Sequence, residues 1–113
     1  MPQTSFCIKK SDRKALILDA LALSSWTATD QLDCSVSFLR QSTDKTPLEV
    51  LSMSLKKGFF VFNLMNAPYR GEEPYFDVGC STIGGNVDYF LWINLTIENG
   101  NKLIKKYNLK SQI

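Results

Sequence analysis

The amino-acid sequence predicts a single α+β domain over residues 1–113, in which an antiparallel sheet of three to five strands packs against about three helices. Residues 12–24 and 47–57 have the composition and the end signals of helices. Residues 58–97 hold nine of the thirteen aromatic residues and contain strand-like alternation. With 44% hydrophobic and 21% charged residues, the composition is that of an ordinary globular domain.

The first helix is predicted over 12–24, after a weakly alternating strand. Residues 4–9 alternate between polar and apolar side chains and predict a strand at a sheet edge. Ser11 is a candidate N-cap, and Asp12 follows it in the first turn, where a negative charge suits the helix dipole. The apolar residues of 15–23 give this helix a broad face for packing against the sheet.

The segment between the two predicted helices is the most ambiguous part of the chain. Residues 24–33 are rich in Ser, Thr and Asp and predict a loop, in which Trp26 covers the edge of the core. Residues 34–39 fit both strand alternation and helical spacing. Their serines and β-branched residue favour a strand.

The second helix, over 47–57, has clear signals at both ends. Thr46 and Glu49 form a capping box around Pro47, which occupies the first helical position. Gly58 follows the last turn and is expected to end the helix in the left-handed conformation. The predicted apolar stripe of this helix is Leu48, Leu51 and Leu55.

Three strands and a last helix are predicted in the rest of the chain. The strands are expected at 59–65, 75–81 and 88–97, joined by turn-rich loops at 66–74 and 82–87. The first of these strands is apolar on both faces, as in the centre of a sheet. The last one alternates strictly, so its odd-numbered residues are expected to face the core. A helix follows, capped by Thr96 or Asn99 and ending near Asn108.

The chain has no histidine, which removes the commonest general base and the usual partner of a catalytic Ser or Cys. Cys7, Cys34 and Cys80 are far apart, form no CxxC pair and lie beside apolar residues. We expect them to be buried free thiols rather than zinc ligands. The sequence therefore predicts no catalytic residue, no metal site and no cofactor.

Charge is segregated along the chain, although the net charge is only +2. Residues 58–101 carry five acidic side chains and one basic one, whereas residues 102–113 carry four lysines and no acid. Those lysines are Lys102, Lys105, Lys106 and Lys110, and they make nucleic-acid binding one alternative function. No nucleic-acid-binding motif accompanies them, so we expect a solvated helix face and consider nucleic acid an unlikely partner.

Four carboxylates raise a second alternative, a small carboxylate-dependent enzyme or ligand-binding domain. They are Glu72, Glu73, Asp77 and Asp88. Paired carboxylates serve in acid–base chemistry or bind divalent cations. None of the four lies in a recognisable metal-binding loop, so solvated side chains are the simpler interpretation. The enzyme alternative requires a concave pocket that joins Asp77 or Asp88 to other polar groups.

The even-numbered face of the strand at 88–97 carries two large aromatic side chains, Phe90 and Trp92. Either a helix covers these side chains or they form a binding surface. Tyr75 and Asp77 lie on the corresponding face of the neighbouring strand. The candidate partner-binding residues are Tyr69, Arg70, Glu72, Glu73, Tyr75, Asp77, Asp88, Phe90 and Trp92. Aromatic residues with an arginine, rimmed by acids, are typical of protein-recognition patches and suit a basic partner.

The run Asp88–Thr96 (DYFLWINLT), together with residues 103–109 (LIKKYNL), resembles bacterial immunity proteins, which neutralise toxins delivered by neighbouring cells. This resemblance implies an inhibitor without chemistry of its own, which binds a cognate toxin domain and occludes its active site. The net charge of +2 departs from the strongly acidic character of nuclease inhibitors. We therefore expect either a toxin that is not a nuclease or recognition through a local acidic patch.

The sequence also predicts a cytoplasmic location. Its first ten residues do not combine a basic start with an apolar core, as a signal peptide does. No apolar run approaches the roughly 20 residues that a membrane-spanning helix needs. We therefore expect no membrane among the partners of this protein.

Overall fold

The computed structural model describes residues 3–24, 39–42, 44–66 and 73–112. One antiparallel sheet of six strands is packed against three α-helices, which confirms the α+β class. The strands are β1 (Gln3–Cys7), β2 (Leu39–Gln41), β3 (Gly58–Met65), β4 (Tyr75–Thr82), β5 (Phe90–Leu95) and β6 (Lys110–Ser111). The helices are α1 (Arg13–Leu23), α2 (Pro47–Lys56) and α3 (Ile97–Tyr107).

The sheet has the order β2-β5-β4-β3-β1-β6, and its six strands exceed the predicted three to five. The strand that no sequence pattern predicted is β6, which is two residues long, and the three-residue β2 shares only Leu39 with the strand favoured at 34–39. Such short strands carry too little alternation to be detected in a sequence. The prediction that the first strand lies at an edge is wrong, because β1 pairs with both β3 and β6.

The first helix begins differently from the prediction. Lys10–Asp12 forms a short 3₁₀ turn, and α1 starts at Arg13. The N-cap residues are Lys9 for the 3₁₀ turn and Asp12 for α1, and neither makes a side-chain capping hydrogen bond. The prediction that Ser11 is the N-cap is therefore wrong. The helix is held by packing instead, because Leu16, Ile17, Ala20 and Leu21 are buried.

The capping box of α2 is confirmed: Thr46 Oγ1 accepts a hydrogen bond from the Glu49 backbone N–H, and the Glu49 side chain reaches back to the Thr46 N–H. The predicted left-handed role of Gly58 is wrong, since Lys57 ends the helix in an extended conformation and Gly58 begins β3. Gly58 is needed for a close approach, because a Cβ there would lie 2.8 Å from Cα of Ser54.

The apolar stripe predicted for α2 is only partly correct. Its buried residues are Pro47, Val50, Leu51 and Ser54. Leu48 and Leu55 are 42% and 38% exposed, respectively. The buried side of the helix therefore includes Ser54 instead of Leu48 and Leu55. The Ser54 hydroxyl donates a hydrogen bond to the carbonyl oxygen of Val50 at 2.7 Å.

The predicted strand at 88–97 is shorter in the structure, because it ends at Leu95 and a helix begins at Ile97. Thr96 is the N-cap, accepting a hydrogen bond from the Asn99 N–H at 3.2 Å. Asn108 ends α3, as predicted, and it has the left-handed conformation, with φ of 51°. Ile97 is therefore an exposed helix residue and not part of the apolar strand face.

All three helices pack on one face of the sheet, which we call the core face. This face contributes alternate residues of the central strands to the core: Phe62 from β3, Phe76, Val78 and Cys80 from β4, and Leu91, Ile93 and Leu95 from β5. Phe6, Phe62 and Phe76 form an aromatic cluster with ring centroids 5.3 to 6.3 Å apart. Gly100 of α3 lies so close to the Phe76 ring that a Cβ there would overlap it.

Several predictions lie outside the described residues: the loop with Trp26, the strand-or-helix segment at 34–38, the thiol of Cys34 and most of the loop at 66–74. Cys80 is buried as expected, but Cys7 is exposed, so the prediction of burial is wrong for that thiol. In the described part of the chain, none of the helices has the length and hydropathy needed to cross a membrane.

Candidate functional site

The candidate site is the sheet face opposite the core, which we call the outer face. Strand register defines its members: Arg40 on β2, Phe90, Trp92 and Asn94 on β5, Tyr75, Asp77, Gly79 and Ser81 on β4, and Phe59, Val61 and Asn63 on β3. None of these residues belongs to the hydrophobic core cluster. Among the described elements, no helix packs on this face.

Trp92 is positioned by the glycine opposite it. Gly79 on β4 pairs directly with Trp92 on β5, and a Cβ at Gly79 would lie 2.9 Å from Cζ3 of the indole. The ring therefore lies flat across the backbone of β4 instead of pointing away from the sheet. Only a residue without a side chain leaves room for this arrangement.

One half of the outer face is apolar. The register aligns Phe59, Ser81 and Phe90 in one row across three strands, and the next row contains Val61, Gly79 and Trp92. The two residues on the middle strand are small, and the larger side chains lie on the strands to either side of it. Phe59 is 43% exposed, and Phe90 and Trp92 are half-buried.

The other half of the outer face is polar. Asp77 pairs with Asn94 across β4 and β5, and Asn63 pairs with Asp77 on its other side. Arg40 reaches across β5, and its Nη2 lies 3.9 Å from Oδ1 of Asp77. That distance is an ion-pair contact and too long for a hydrogen bond.

Oδ1 of the Asp77 carboxylate has no hydrogen-bond donor among the described residues. Oδ1 of Asp77 and Oδ1 of Asn94 are buried and accept no hydrogen bond from any residue in the described ranges. Burial raises the pKa of the Asp77 carboxyl, and the Arg40 guanidinium opposes that rise only in part. Arg40 is 58% exposed, so solvent screens its charge.

The structure brings together four of the nine predicted site residues. Tyr75, Asp77, Phe90 and Trp92 share the outer face, as the alternation predicted. Glu73 and Asp88 are exposed and lie beyond opposite ends of β4, a strand of eight residues that is roughly 25 Å long. Tyr69, Arg70 and Glu72 lie outside the described residues.

Several residues of this face were missed by the sequence analysis, among them Phe59, Val61, Arg40 and Gly79. Phe59 and Val61 belong to a strand that is apolar on both faces, so its sequence does not show which side faces the core. Arg40 follows the ambiguous segment, and Gly79 lies within the predicted strand at 75–81 but has no side chain to mark it as a site residue. The alternation of Phe59 and Val61 with the buried Phe62 was the available signal.

The described carboxylates do not form a catalytic or metal-binding cluster. Within the described ranges, no three Asp, Glu or Cys side chains are close enough to hold a metal ion. One cleft in the described part of the chain is lined by residues of α2 and of the β4–β5 turn and includes neither Asp77 nor Asp88.

The Cys80 thiol and the Lys106 ammonium both contact other residues of the fold. Burial raises the pKa of the Cys80 thiol to about 11, while a hydrogen bond with Ser54 opposes that rise. Lys106, one of the lysines considered for nucleic-acid binding, donates a hydrogen bond to Asp19 at 2.7 Å. Tyr107 donates to the same carboxylate oxygen, so this cluster connects α3 to α1.

Comparison with protein-family models, with curated proteins and with solved structures finds no match to this chain.

Proposed function

We propose that this chain is an intracellular inhibitor of the immunity type, which binds a cognate toxin domain and occludes its active site. It binds through the outer face and performs no chemistry of its own. The observation that carries the proposal is the aromatic surface formed by Phe59, Phe90 and Trp92 on a face that lacks a described helix. The resemblance of residues 88–96 and 103–109 to immunity proteins gives the class of partner.

The aromatic half of the outer face has the composition of an interface centre. Tryptophan, tyrosine and arginine are enriched among the residues that dominate binding energy, and here Trp92 pairs directly with Arg40 of β2. The indole is already fixed against Gly79, so little side-chain freedom remains to be lost on binding. This pre-organisation favours tight association.

The polar half of the outer face supports a basic partner. Asp77 carries a charge that burial disfavours and that Arg40 neutralises incompletely. A lysine or arginine of the toxin domain would pair with the part of the Asp77 side chain that remains exposed, which is 24% of it. Recognition through this local acid also accommodates a protein whose overall charge is +2.

The proposal is tested by capture followed by a growth assay. Tagged wild-type chain and tagged Trp92→Ala are used as baits in the cells that produce the protein, and the captured protein is then expressed alone. We expect that wild type retains a protein that Trp92→Ala loses. That protein should arrest growth, and co-expression of the wild-type chain should restore it.

Two further variants separate loss of binding from loss of folding. Phe59→Ala changes an exposed residue of the outer face, and Leu48→Ala changes an equally exposed residue of α2 on the other side of the sheet. We expect Phe59→Ala to impair growth rescue and Leu48→Ala to leave it intact. A captured partner that is harmless when expressed alone, or rescue that depends on Leu48 and not on Phe59, contradicts the proposal.

A further inference from the structure

A second concave site lies at the end of the sheet, away from the outer face. It is a cleft of about 440 Å³ between the C-terminal end of α2 and the turn that joins β4 to β5. Its lining includes Met53, Lys57, Ile83, Gly84, Val87 and Tyr89. The volume is within the range typical of small-molecule sites.

The walls of the cleft are held together by backbone hydrogen bonds. The Ile83 N–H donates to the Lys57 carbonyl oxygen at 3.1 Å, which ties the turn to the end of α2. Thr82 and Tyr89 close the base of the turn, since the Thr82 N–H donates to the Tyr89 carbonyl oxygen at 2.9 Å. The Tyr89 N–H donates in return to Oγ1 of Thr82 at 2.8 Å. These hydrogen bonds fix the β4–β5 turn relative to the end of α2, so they define the shape of the cleft.

The cleft lining includes an ammonium group, that of Lys57. The Lys57 side chain lies along Gly84, and its Nζ is 2.9 Å from the position that a Cβ of Gly84 would occupy. Gly84 has φ of +87°, so glycine is needed here for its backbone conformation. Within the described ranges, Lys57 makes no ion pair and the N–H groups of 84–88 donate no hydrogen bond.

The cleft lining also includes exposed apolar side chains. Ile83 is 47% exposed and Val87 is 62% exposed, although both are large hydrophobic residues. Tyr89 contributes its ring, and the ammonium of Lys45 lies 5.4 Å from the centre of that ring. Lys45 adds a second positive charge near the cleft, partly offset by Glu49 at 4.0 Å and by the exposed Asp88 at the end of the turn.

We propose that this cleft binds a carboxylate attached to an apolar body. The carboxylate accepts hydrogen bonds from Lys57 and from the free N–H groups around Gly84, as carboxylates do in backbone anion sites. The apolar body covers Ile83 and Val87 and removes their surface from water. The site is independent of the proposed inhibitor function, because it shares no residue with the outer face.

The experiment is a titration of the isotopically labelled chain, followed by its backbone amide resonances. The probe is N-acetylphenylalanine, and the matched control is its amide, which has the same ring without the charge. We expect the acid to shift the Gly84 and Gly85 resonances saturably and to bind about tenfold more tightly than the amide. Equal binding of acid and amide, or shifts located elsewhere, would overturn the proposal.

Variants identify the groups responsible. Lys57→Met should lower affinity for the acid about tenfold, whereas Lys56→Met, the neighbouring exposed lysine outside the cleft, should leave it unchanged. Val87→Ser should weaken binding of acid and amide alike. Inorganic phosphate that binds as tightly as N-acetylphenylalanine contradicts the proposal, since the apolar wall would then contribute nothing.

Discussion

Trp92 lies across Gly79 of the neighbouring strand, so the largest side chain of the outer face rests on the residue without a side chain. The two residues are direct cross-strand partners. A Cβ at Gly79 would overlap the indole and also the carbonyl oxygen of Leu91. A single glycine therefore determines both the pairing of β4 with β5 and the shape of the proposed binding surface.

Gly79→Ala is expected to destabilise the protein by about 1–3 kcal/mol, because the new methyl group must displace the indole and separate the strands. Urea unfolding gives the free energy, and fluorescence reports the change around the indole. Gly85→Ala is the matched control: its Cβ would approach only Val87, with the carbonyl oxygen 3.2 Å away. The packing account is contradicted if the two variants are equally stable.

Asp77→Asn is expected to be as stable as wild type or more stable at pH 7. Burial raises the pKa of this carboxyl in the folded state. Its contribution to stability is therefore fully present below the ordinary pKa of about 3.9 and is lost as the pH rises through the raised value. Urea unfolding at pH 3 and pH 7 should show the advantage of the variant only at pH 7. A variant that is less stable at pH 7 would mean that the Arg40 ion pair dominates.

Asp19→Asn should be less stable than wild type at pH 7, on the order of 0.5 kcal/mol. Burial tends to raise the pKa of Asp19, but hydrogen bonds from Lys106 and Tyr107 outweigh it and lower the pKa. The stabilisation is therefore present above about pH 3.9 and is lost as the pH falls through the lowered pKa. The free energy of unfolding, measured from pH 2 to 7, checks this, with Asp44→Asn as an exposed control. A difference between Asp19→Asn and wild type that stays constant across this range would contradict the prediction.

The thiols are expected to differ in reactivity. Cys7 is exposed, whereas Cys80 is buried with a pKa raised to about 11, so little of the nucleophilic thiolate is present near neutral pH. In a Cys34→Ser background, iodoacetamide at pH 8 should label Cys7 in the native protein and Cys80 only after unfolding. Mass spectrometry of the digested protein measures both sites. Labelling of the two thiols at one rate would contradict the burial of Cys80.

Thr46→Ala is expected to cost about 1 kcal/mol of stability, because it removes the acceptor for the Glu49 N–H. Thr46→Ser retains a hydroxyl group and should cost much less. Thermal or urea unfolding of both variants checks the contribution of the capping box. Equal losses in the two variants would show that the methyl group of Thr46 matters more than its hydroxyl.

Local signals in the sequence predicted the elements that depend on local interactions. The capping box at Thr46 and Glu49 located α2, and Asn108 marked the end of α3. The alternation from Leu91 to Leu95 identified the core face of β5. In each case neighbouring residues of the chain make the interaction, so distant partners were not needed.

Features that depend on distant partners were not predictable in the same way. Gly58 was predicted to have the left-handed conformation at a helix end. Glycine is needed there for a different reason, because Ser54 and the Ser81 carbonyl oxygen leave no room for a side chain. Cys7 is exposed because it alternates with Phe6, which packs against the core, and so it lies on the opposite side of the sheet. Sequence alternation on β4 and β5 located Asp77 and Trp92, whereas strand order was needed to add Arg40 and Phe59 to the same face.

The most direct test of the central claim is the dissociation constant of the complex between this chain and its captured partner, measured with outer-face and helix-face variants. We predict that Trp92→Ala weakens binding by about 2 kcal/mol, or roughly 30-fold, and that the exposed outer-face change Phe59→Ala also weakens it. Leu48→Ala should leave the constant within about twofold. The claim is contradicted if Leu48→Ala weakens the complex while Trp92→Ala and Phe59→Ala bind like wild type.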